Sequence, residues 1–170
     1  MNIRTALAFC TLFAVIFAAQ NLLSASPELT GKVVRVYDGD TLEVEHIGTV
    51  RLLGIDTPEW KASERDRYLL RQGVSESTLR RIASESRQRV RRIALGKEIG
   101  LLTDRDDRDR YGRLLAYVYL PDGRLLNQLL LEEGLAIVYR RFDFDLKADF
   151  LKTEKLARKT FRGIWLDLKE

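Results

Sequence analysis

The sequence predicts a single α+β domain in which short strands form a barrel. Its 170 residues are 45% hydrophobic and 32% charged, with 3 prolines and 11 glycines, a composition typical of a compact globular domain. Strand patterns come first, a long helix follows, and further strands and helices complete the chain. This order favours an α+β barrel over a parallel sheet, in which strands and helices would alternate regularly.

Three strands are predicted in the first third of this domain. Apolar and β-branched residues flank Asp38 and Gly39, a dipeptide that strongly favours a hairpin turn. A second turn is predicted at 46–48. The third strand is followed by Pro58, which lacks the amide donor that a continuing ladder would need. The predicted strands cover residues 33–37, 41–44 and 50–55, and residues 60–73 are predicted to form a loop.

A long helix separates these strands from two more. Residues 75–95 place apolar side chains at helical spacing with arginines between them, and Gly96 follows as a stop. A charged turn is predicted at 104–112. The remaining predicted elements are strands at 98–103, 114–119 and 135–139 and helices at 125–133 and 146–161.

The cysteine and histidine content excludes several kinds of site. Cys10 is the single cysteine and His46 the single histidine of this sequence. An intramolecular disulfide, a cysteine-based zinc cluster and a histidine-paired nucleophile are therefore excluded. The formal net charge of +4 supports a local basic patch at most.

Residues 1–26 have the layout of an export signal. Arg4 precedes an apolar run over 6–19, and small residues follow. Because the run is shorter than the ~20 apolar residues that cross a bilayer, it favours a cleaved signal peptide. An uncleaved membrane anchor over 6–25 is the alternative. In both cases we expect the domain over 27–170 to be exported, either secreted or periplasmic.

Three acidic residues lie where carboxylates can converge outside the core. Asp40 follows the first hairpin turn, while Asp56 and Glu59 stand at the end of the third strand. A hard cation such as calcium takes carboxylate, carbonyl and water oxygens, which such a barrel rim can supply. The spacing alone leaves open that these acids merely occupy turns.

Two arginines accompany the acids. Arg51 lies on the strand that delivers Asp56, and Arg113 opens the strand after Tyr111. Guanidinium groups bind phosphate through two parallel hydrogen bonds. Cation-binding acids beside phosphate-binding arginines would neutralise the charge that develops in phosphodiester hydrolysis. Surface salt bridges would explain the same residues equally well.

Three motifs occur in order along the chain. They are Asp38-Gly39-Asp40-Thr41, Arg51-Leu52-Leu53-Gly54-Ile55-Asp56-Thr57-Pro58-Glu59 and Asp109-Arg110-Tyr111-Gly112-Arg113. Together they closely resemble the staphylococcal nuclease (thermonuclease) family, and the resemblance extends over residues 31–165. It implies a five-stranded OB-fold barrel with three helices, and hydrolysis of DNA and RNA with calcium bound at the barrel rim.

The same resemblance implies roles for individual residues. Arg51 and Arg113 match the arginines that bind the phosphate and stabilise its transition-state charge. Glu59 matches the general base for the attacking water. The 5′ oxygen would leave, so the products would carry a 3′-phosphate. The family's calcium ligands match Asp40, Asp56 and the backbone carbonyl of Thr57.

Substrate contacts are less completely matched. Tyr111 matches the tyrosine beside the nucleotide, whereas Tyr139 matches the paired base-side tyrosines imperfectly. Tyr139 is therefore predicted either to stack on a base or to pack at the barrel rim. The segment 60–73 departs from the Lys-rich loop of the type enzyme. Its aromatic and basic residues are Trp60, Arg65, Arg67, Tyr68 and Arg71.

These features together predict an exported, calcium-dependent nuclease. We expect it to be a monomer without a protein partner that cuts single-stranded DNA and RNA in preference to duplexes, with affinity that falls as salt rises. The alternative is a non-catalytic module on the same barrel that binds nucleic acid or protein. Retention of all the acidic and basic motif residues argues against this alternative.

Overall fold

A computed structural model describes residues 27–168 of the chain. The segment 1–26, predicted to be a signal peptide or membrane anchor, lies outside the described residues. Within 27–168, no helix combines the length and the apolar character needed to span a bilayer.

Most of the strands form one closed barrel, in the order β1-β2-β3-β6-β5, with β5 pairing back to β1. The pairing is antiparallel except between β3 and β6. This is the α+β, five-stranded OB-fold barrel that the resemblance implied. The strands are β1 (Leu29–Val36), β2 (Thr41–Val44), β3 (Gly48–Leu52), β4 (Ile55–Asp56), β5 (Glu98–Arg108), β6 (Leu114–Tyr119) and β7 (Ile137–Val138). The short strands β4 and β7 pair separately.

The predicted turn at Asp38 and Gly39 is present and joins β1 to β2. The backbone amide of Tyr37 donates to the carbonyl of Thr41 at 3.0 Å. The Asp38 carboxylate accepts the backbone amide of Asp40 at 3.0 Å. Both hydrogen bonds tighten the turn, so Asp40 enters β2 at a defined position on the barrel rim.

Residues 27–168 contain four α-helices, whereas the resemblance implied three. The additional helix, α1, lies inside 60–73, which was predicted to be a loop. Ser63 begins a turn of 3-10 helix (Glu64–Asp66) with a reciprocal capping box, in which Asp66 accepts the Ser63 amide. The helices are α1 (Arg67–Arg71), α2 (Glu76–Ala94), α3 (Leu126–Glu132) and α4 (Lys147–Lys159). This short segment escaped detection because its five residues are too few to show helical periodicity.

The charged turn predicted at 104–112 is also wrong in part. Strand β5 continues to Arg108, which pairs with Leu114 of β6 after a register shift. The turn itself covers only 109–112. Arg105, Asp107 and Arg108 are exposed in this part of the hairpin, so the stretch lacks the apolar alternation that predicts a strand.

The strand predicted at 50–55 is divided by Gly54. This glycine has a φ of +79°, and a Cβ there would lie 2.6 Å from the Phe144 ring. The left-handed turn redirects the chain from β3 into β4, which a residue with a side chain would resist. The predicted strand at 135–139 is likewise reduced to β7, since its only described partner is β4.

The core fills the barrel and the space between it and the helices. Trp165, near the C-terminal end of the described residues, is fully buried. The buried amide of Asn127 at the start of α3 joins three strand-region groups. Its Nδ2 donates to the carbonyls of Leu53 and Ala116 at 2.9 and 3.3 Å, and its Oδ1 accepts the Val118 amide at 2.9 Å. Asn127 therefore fastens α3 to the end of β3 and to β6.

We expect Asn127→Ala to lower the free energy of unfolding by at least about 1–3 kcal/mol, because buried backbone groups lose their partner. Urea unfolding monitored by circular dichroism measures the change. Gln128→Ala is the matched control, since among residues 27–168 the side chain of Gln128 hydrogen-bonds within α3, to Glu132. Equal stability of the two variants would contradict a fastening role for Asn127.

Candidate active site

Asp40 is the most deeply buried acid of the site, with 1% of its surface exposed. Its Oδ2 accepts the backbone amide of Thr57 at 2.8 Å and the Thr57 hydroxyl at 2.9 Å. Its Oδ1 accepts the Thr41 hydroxyl at 3.1 Å. These hydrogen bonds join the start of β2 to the segment after β4, so they bring the first two sequence motifs together.

Arg51 on β3 connects the two predicted calcium-ligating carboxylates. Its guanidinium forms ion pairs with Asp40 and Asp56, and its Nη2 lies 2.6 Å from Asp56 Oδ1. Its side chain is only 11% exposed. Burial lowers the pKa of Arg51 below its ordinary value, and the neighbouring Asp56 carboxylate opposes that shift. An arginine nevertheless stays protonated in a protein, so one cation is shared between two carboxylates.

The donor set around Arg51 fits a hard cation. Asp40 and Asp56 converge on a single positive group, and the carbonyl of buried Thr57 accepts no hydrogen bond from the described residues. Within 27–168 there is no cluster of three or more acidic, histidine or cysteine side chains arranged to hold a metal. A cation here would therefore complete its ligands with carbonyl and water oxygens, as calcium does in proteins.

Glu59 lies just beyond this pair of carboxylates and is partly exposed. Its Oε1 accepts a hydrogen bond from Arg65 Nη1 at 2.6 Å. Its backbone carbonyl accepts one from Arg80 Nη1 at 2.6 Å. Arg80, on α2, also forms an ion pair with buried Asp66. Arg80 thus holds the main chain of Glu59, and the guanidinium group of Arg65 contacts its side chain.

Arg113 and Tyr111 come from the turn between β5 and β6. Asp109 receives Arg113 Nε at 2.7 Å and also the backbone amides of Tyr111 and Arg113 at 2.9 and 3.1 Å. Burial would raise the pKa of Asp109, but these hydrogen bonds hold it below its ordinary value. Tyr111 is exposed, and the guanidinium carbons of Arg110 and Arg113 lie 4.8 and 5.5 Å from the centre of its ring.

A cleft of about 1020 Å³ brings several predicted site residues together. Its walls include Arg51, Asp56, Tyr111, Arg113 and Tyr139, whereas Asp40, Thr57 and Glu59 lie outside its lining. Arginine is the most frequent residue type in the lining, as expected for a site that takes a polyanion. The lining arginines are Arg51, Arg65, Arg71, Arg105, Arg108, Arg110, Arg113, Arg140 and Arg141.

Tyr139 lines this cleft and also packs within the rim. Its ring lies 5.2 Å from that of Phe142, and its backbone amide donates to the Gly54 carbonyl at 2.9 Å. Its ring is half-buried. The geometry is therefore compatible with both roles considered for it, and base stacking stays a prediction.

Sequence reasoning assigned no role to the cleft residues of the α1 region. Arg65, Tyr68 and Arg71 line one wall. The signal that could have found them is the pattern Ser63-x-x-Asp66, a capping-box arrangement that predicts a helix start within the presumed loop. A helix there places residues three or four apart on one face, so Tyr68 and Arg71 share a side.

A family model described as staphylococcal nuclease homologue matches residues 49–167. The chain belongs to this staphylococcal nuclease family. The match includes Arg51, Asp56, Glu59 and Arg113, while Asp40 precedes it. Two of the three motifs singled out in the sequence thus lie within the matched region.

Several proteins similar to this chain are named as nucleases. A protein of Escherichia coli O157:H7 named an uncharacterized endonuclease is 34% identical over 143 residues, covering 82% of this chain and 79% of that protein. A thermonuclease of Staphylococcus hyicus is 34% identical over 147 residues, covering 84% and 79%. Endonuclease YncB of Bacillus subtilis is 34% identical over 137 residues, covering 77% and 59%.

Proposed function

We propose that the chain is an exported, calcium-dependent nuclease that hydrolyses the phosphodiester bonds of DNA and RNA. One observation carries the proposal: Arg51, paired with Asp40 and Asp56, opens onto an arginine-lined cleft that also contains Arg113. Membership of the staphylococcal nuclease family and the names of its relatives support a hydrolase acting on nucleic acids.

Asp40, Asp56 and the Thr57 carbonyl would hold calcium, which when bound supplies a Lewis acid that stabilises negative charge on the phosphate. The guanidinium groups of Arg51 and Arg113 donate hydrogen bonds to phosphate oxygens, and these strengthen as charge develops in the transition state. Asp109 holds Arg113 in place through its two contacts with that side chain.

Glu59 accepts the proton of the water that attacks phosphorus, and its carboxylate lies 2.6 Å from Arg65, a residue of the cleft lining. The P–O bond to the 5′ oxygen breaks, so the products carry a 3′-phosphate. A single strand suits this cleft, because its lining offers guanidinium groups for a flexible backbone and aromatic rings for unpaired bases. We also propose that the protein is located outside the cytoplasm and is a monomer.

The deciding experiment is cleavage of a labelled single-stranded DNA by the full chain with calcium and with a chelator. We expect cutting only with calcium, and products ending in a 3′-phosphate. A folded protein that binds the strand but fails to cut it, whichever divalent cation is supplied, would overturn the nuclease proposal. That result would favour the non-catalytic binding module.

Calcium binding also has a readout that does not depend on cleavage. Calcium at about 100 times its Kd should raise the free energy of unfolding by about 2.7 kcal/mol, because it binds the folded state. We expect Asp40→Asn to abolish most of this gain in a thermal unfolding assay. Asp122→Asn, which changes an exposed turn residue paired with Arg124, should retain it. An equal gain in both variants would contradict the assigned ligands.

A further inference from the structure

Arg65 stands beside both Glu59 and the predicted cation ligands. Its Nη1 lies 2.6 Å from Glu59 Oε1 and 3.7 Å from Asp56 Oδ1. The second of these atoms is the same oxygen that Arg51 contacts. The two guanidinium groups are therefore neighbours across one carboxylate oxygen, and both line the cleft.

Arg65 and Arg51 differ in how firmly they are held. The side chain of Arg65 is 52% exposed, and ion pairs at such positions contribute only about 0–1 kcal/mol. Arg51 is buried between two carboxylates, so it has no comparable freedom to change partners. An entering phosphate can accordingly draw Arg65 away from Glu59 at little cost.

The backbone that carries Arg65 is nevertheless fixed. Asp66 accepts the Ser63 amide at 3.0 Å and pairs with Arg80, and the same Arg80 donates to the Glu59 carbonyl at 2.6 Å. Asp66 is buried. Arg80 thus anchors both ends of the segment between Glu59 and α1, by an ion pair at Asp66 and a hydrogen bond at Glu59, and this sets where the Arg65 side chain begins.

The wall around Arg65 continues along α1. Arg71 also lines the cleft, and no acidic partner for it lies among the described residues. Arg67, by contrast, lies outside the cleft lining and pairs with exposed Glu64. Two arginines two positions apart therefore face different surroundings, which makes Arg67 a matched control for Arg65.

We propose that Arg65 is a specificity-determining residue that binds the phosphate next to the scissile one and thereby favours bonds inside a chain. A strand with its scissile phosphate on Arg51 brings an adjacent phosphate to the neighbouring guanidinium. Transfer of Arg65 to that phosphate also releases Glu59 to accept a proton. This inference rests on the proposed nuclease function and adds the requirement for a flanking phosphate.

The test compares two substrates, a single-stranded oligonucleotide and a dinucleoside monophosphate that has no flanking phosphate. For each, kcat and KM are measured with the wild type, Arg65→Ala, Arg65→Lys and Arg67→Ala. We expect Arg65→Ala to lower the preference for the oligonucleotide, expressed as the ratio of kcat/KM values, by at least about tenfold, the effect of losing one charge-assisted hydrogen bond. Arg65→Lys should restore much of it, and Arg67→Ala should keep the wild-type ratio.

Binding in chelator provides a readout independent of cleavage. A lost phosphate contact should reduce the slope of log affinity against log salt for single-stranded DNA by about 0.7 in Arg65→Ala. The slope of Arg67→Ala should match that of the wild type. Circular dichroism of each variant checks that it is folded.

The outcomes separate this inference from the proposed function. If the wild type cuts DNA but Arg65→Ala matches Arg67→Ala in both ratio and slope, the role of Arg65 is overturned and the nuclease function stands. Loss of activity by one common factor on both substrates would also overturn it. If the folded wild type binds DNA but cuts neither substrate, the proposed function and the cleavage preference fall together, and the salt slope alone decides the phosphate contact.

Discussion

Replacing Glu59 by glutamine is expected to lower kcat on single-stranded DNA by about 10²–10⁴-fold, the range for loss of a general base. Glutamine keeps the size of the side chain, but its amide cannot take a proton from water. The Arg80 hydrogen bond is made to the Glu59 main chain, so the local backbone should be retained. Steady-state kinetics with saturating calcium measures kcat, and a binding assay in chelator measures the affinity for DNA.

The matched control is Glu64→Gln, which removes a carboxylate five positions away. Glu64 is exposed and its ion pair is with Arg67, outside the cleft. We expect this variant to keep the wild-type kcat. If Glu59→Gln also kept the wild-type kcat, Glu59 would not be the base. If Glu59→Gln lost DNA binding, the role of Glu59 would lie in substrate affinity.

Arg51→Met is expected to destabilise the fold and to impair hydrolysis at the same time. Removing the guanidinium leaves Asp40 and Asp56 facing each other without their shared cation, and breaking a buried ion pair costs about 3–5 kcal/mol. Loss of a donor to the transition-state phosphate should lower kcat by about 10²–10³-fold. Methionine roughly preserves the length of the side chain, so the change in packing is small.

Urea unfolding in chelator measures the change in the free energy of unfolding. Cleavage at a temperature where the variant stays folded measures the change in kcat. Arg124→Met is the control, because its pair with Asp122 is exposed and contributes about 0–1 kcal/mol. If the two variants were equally stable, the carboxylates around Arg51 would not be held as a buried ionic group. If Arg51→Met were unstable but fully active, its role would be structural only.

Much of the barrel could be predicted because its strands obey local rules. The turn at Asp38 and Gly39 and the apolar residues on both sides of it specify the β1–β2 hairpin, and the structure has it. The charged end of β5 could not be predicted in the same way, because its pairing with β6 depends on a register shift rather than on an apolar face. Helix α1 was missed for a related reason, since a short helix lacks a readable period.

The candidate site shows the same division. The three motifs identified the acids and arginines, and the structure brings Asp40, Arg51 and Asp56 into direct contact. The chemical types of these residues were enough to suggest a cation and a phosphate. The contact of Arg65 with Glu59 could not be read from the sequence, since it requires the 3-10 turn and the anchor that Arg80 supplies from α2.

The sequence by itself determined the family, the barrel class and the residue types of the candidate site, because these depend on motif identity and local spacing. Only the tertiary structure decided which arginines share the cleft and which acids Arg51 and Arg65 contact. The physical reason is that such contacts join segments distant in the chain, and their geometry follows from barrel closure, the Gly54 turn and helix packing. Arg65 and Arg67 are alike in sequence, and the direction each side chain takes from the fold distinguishes them.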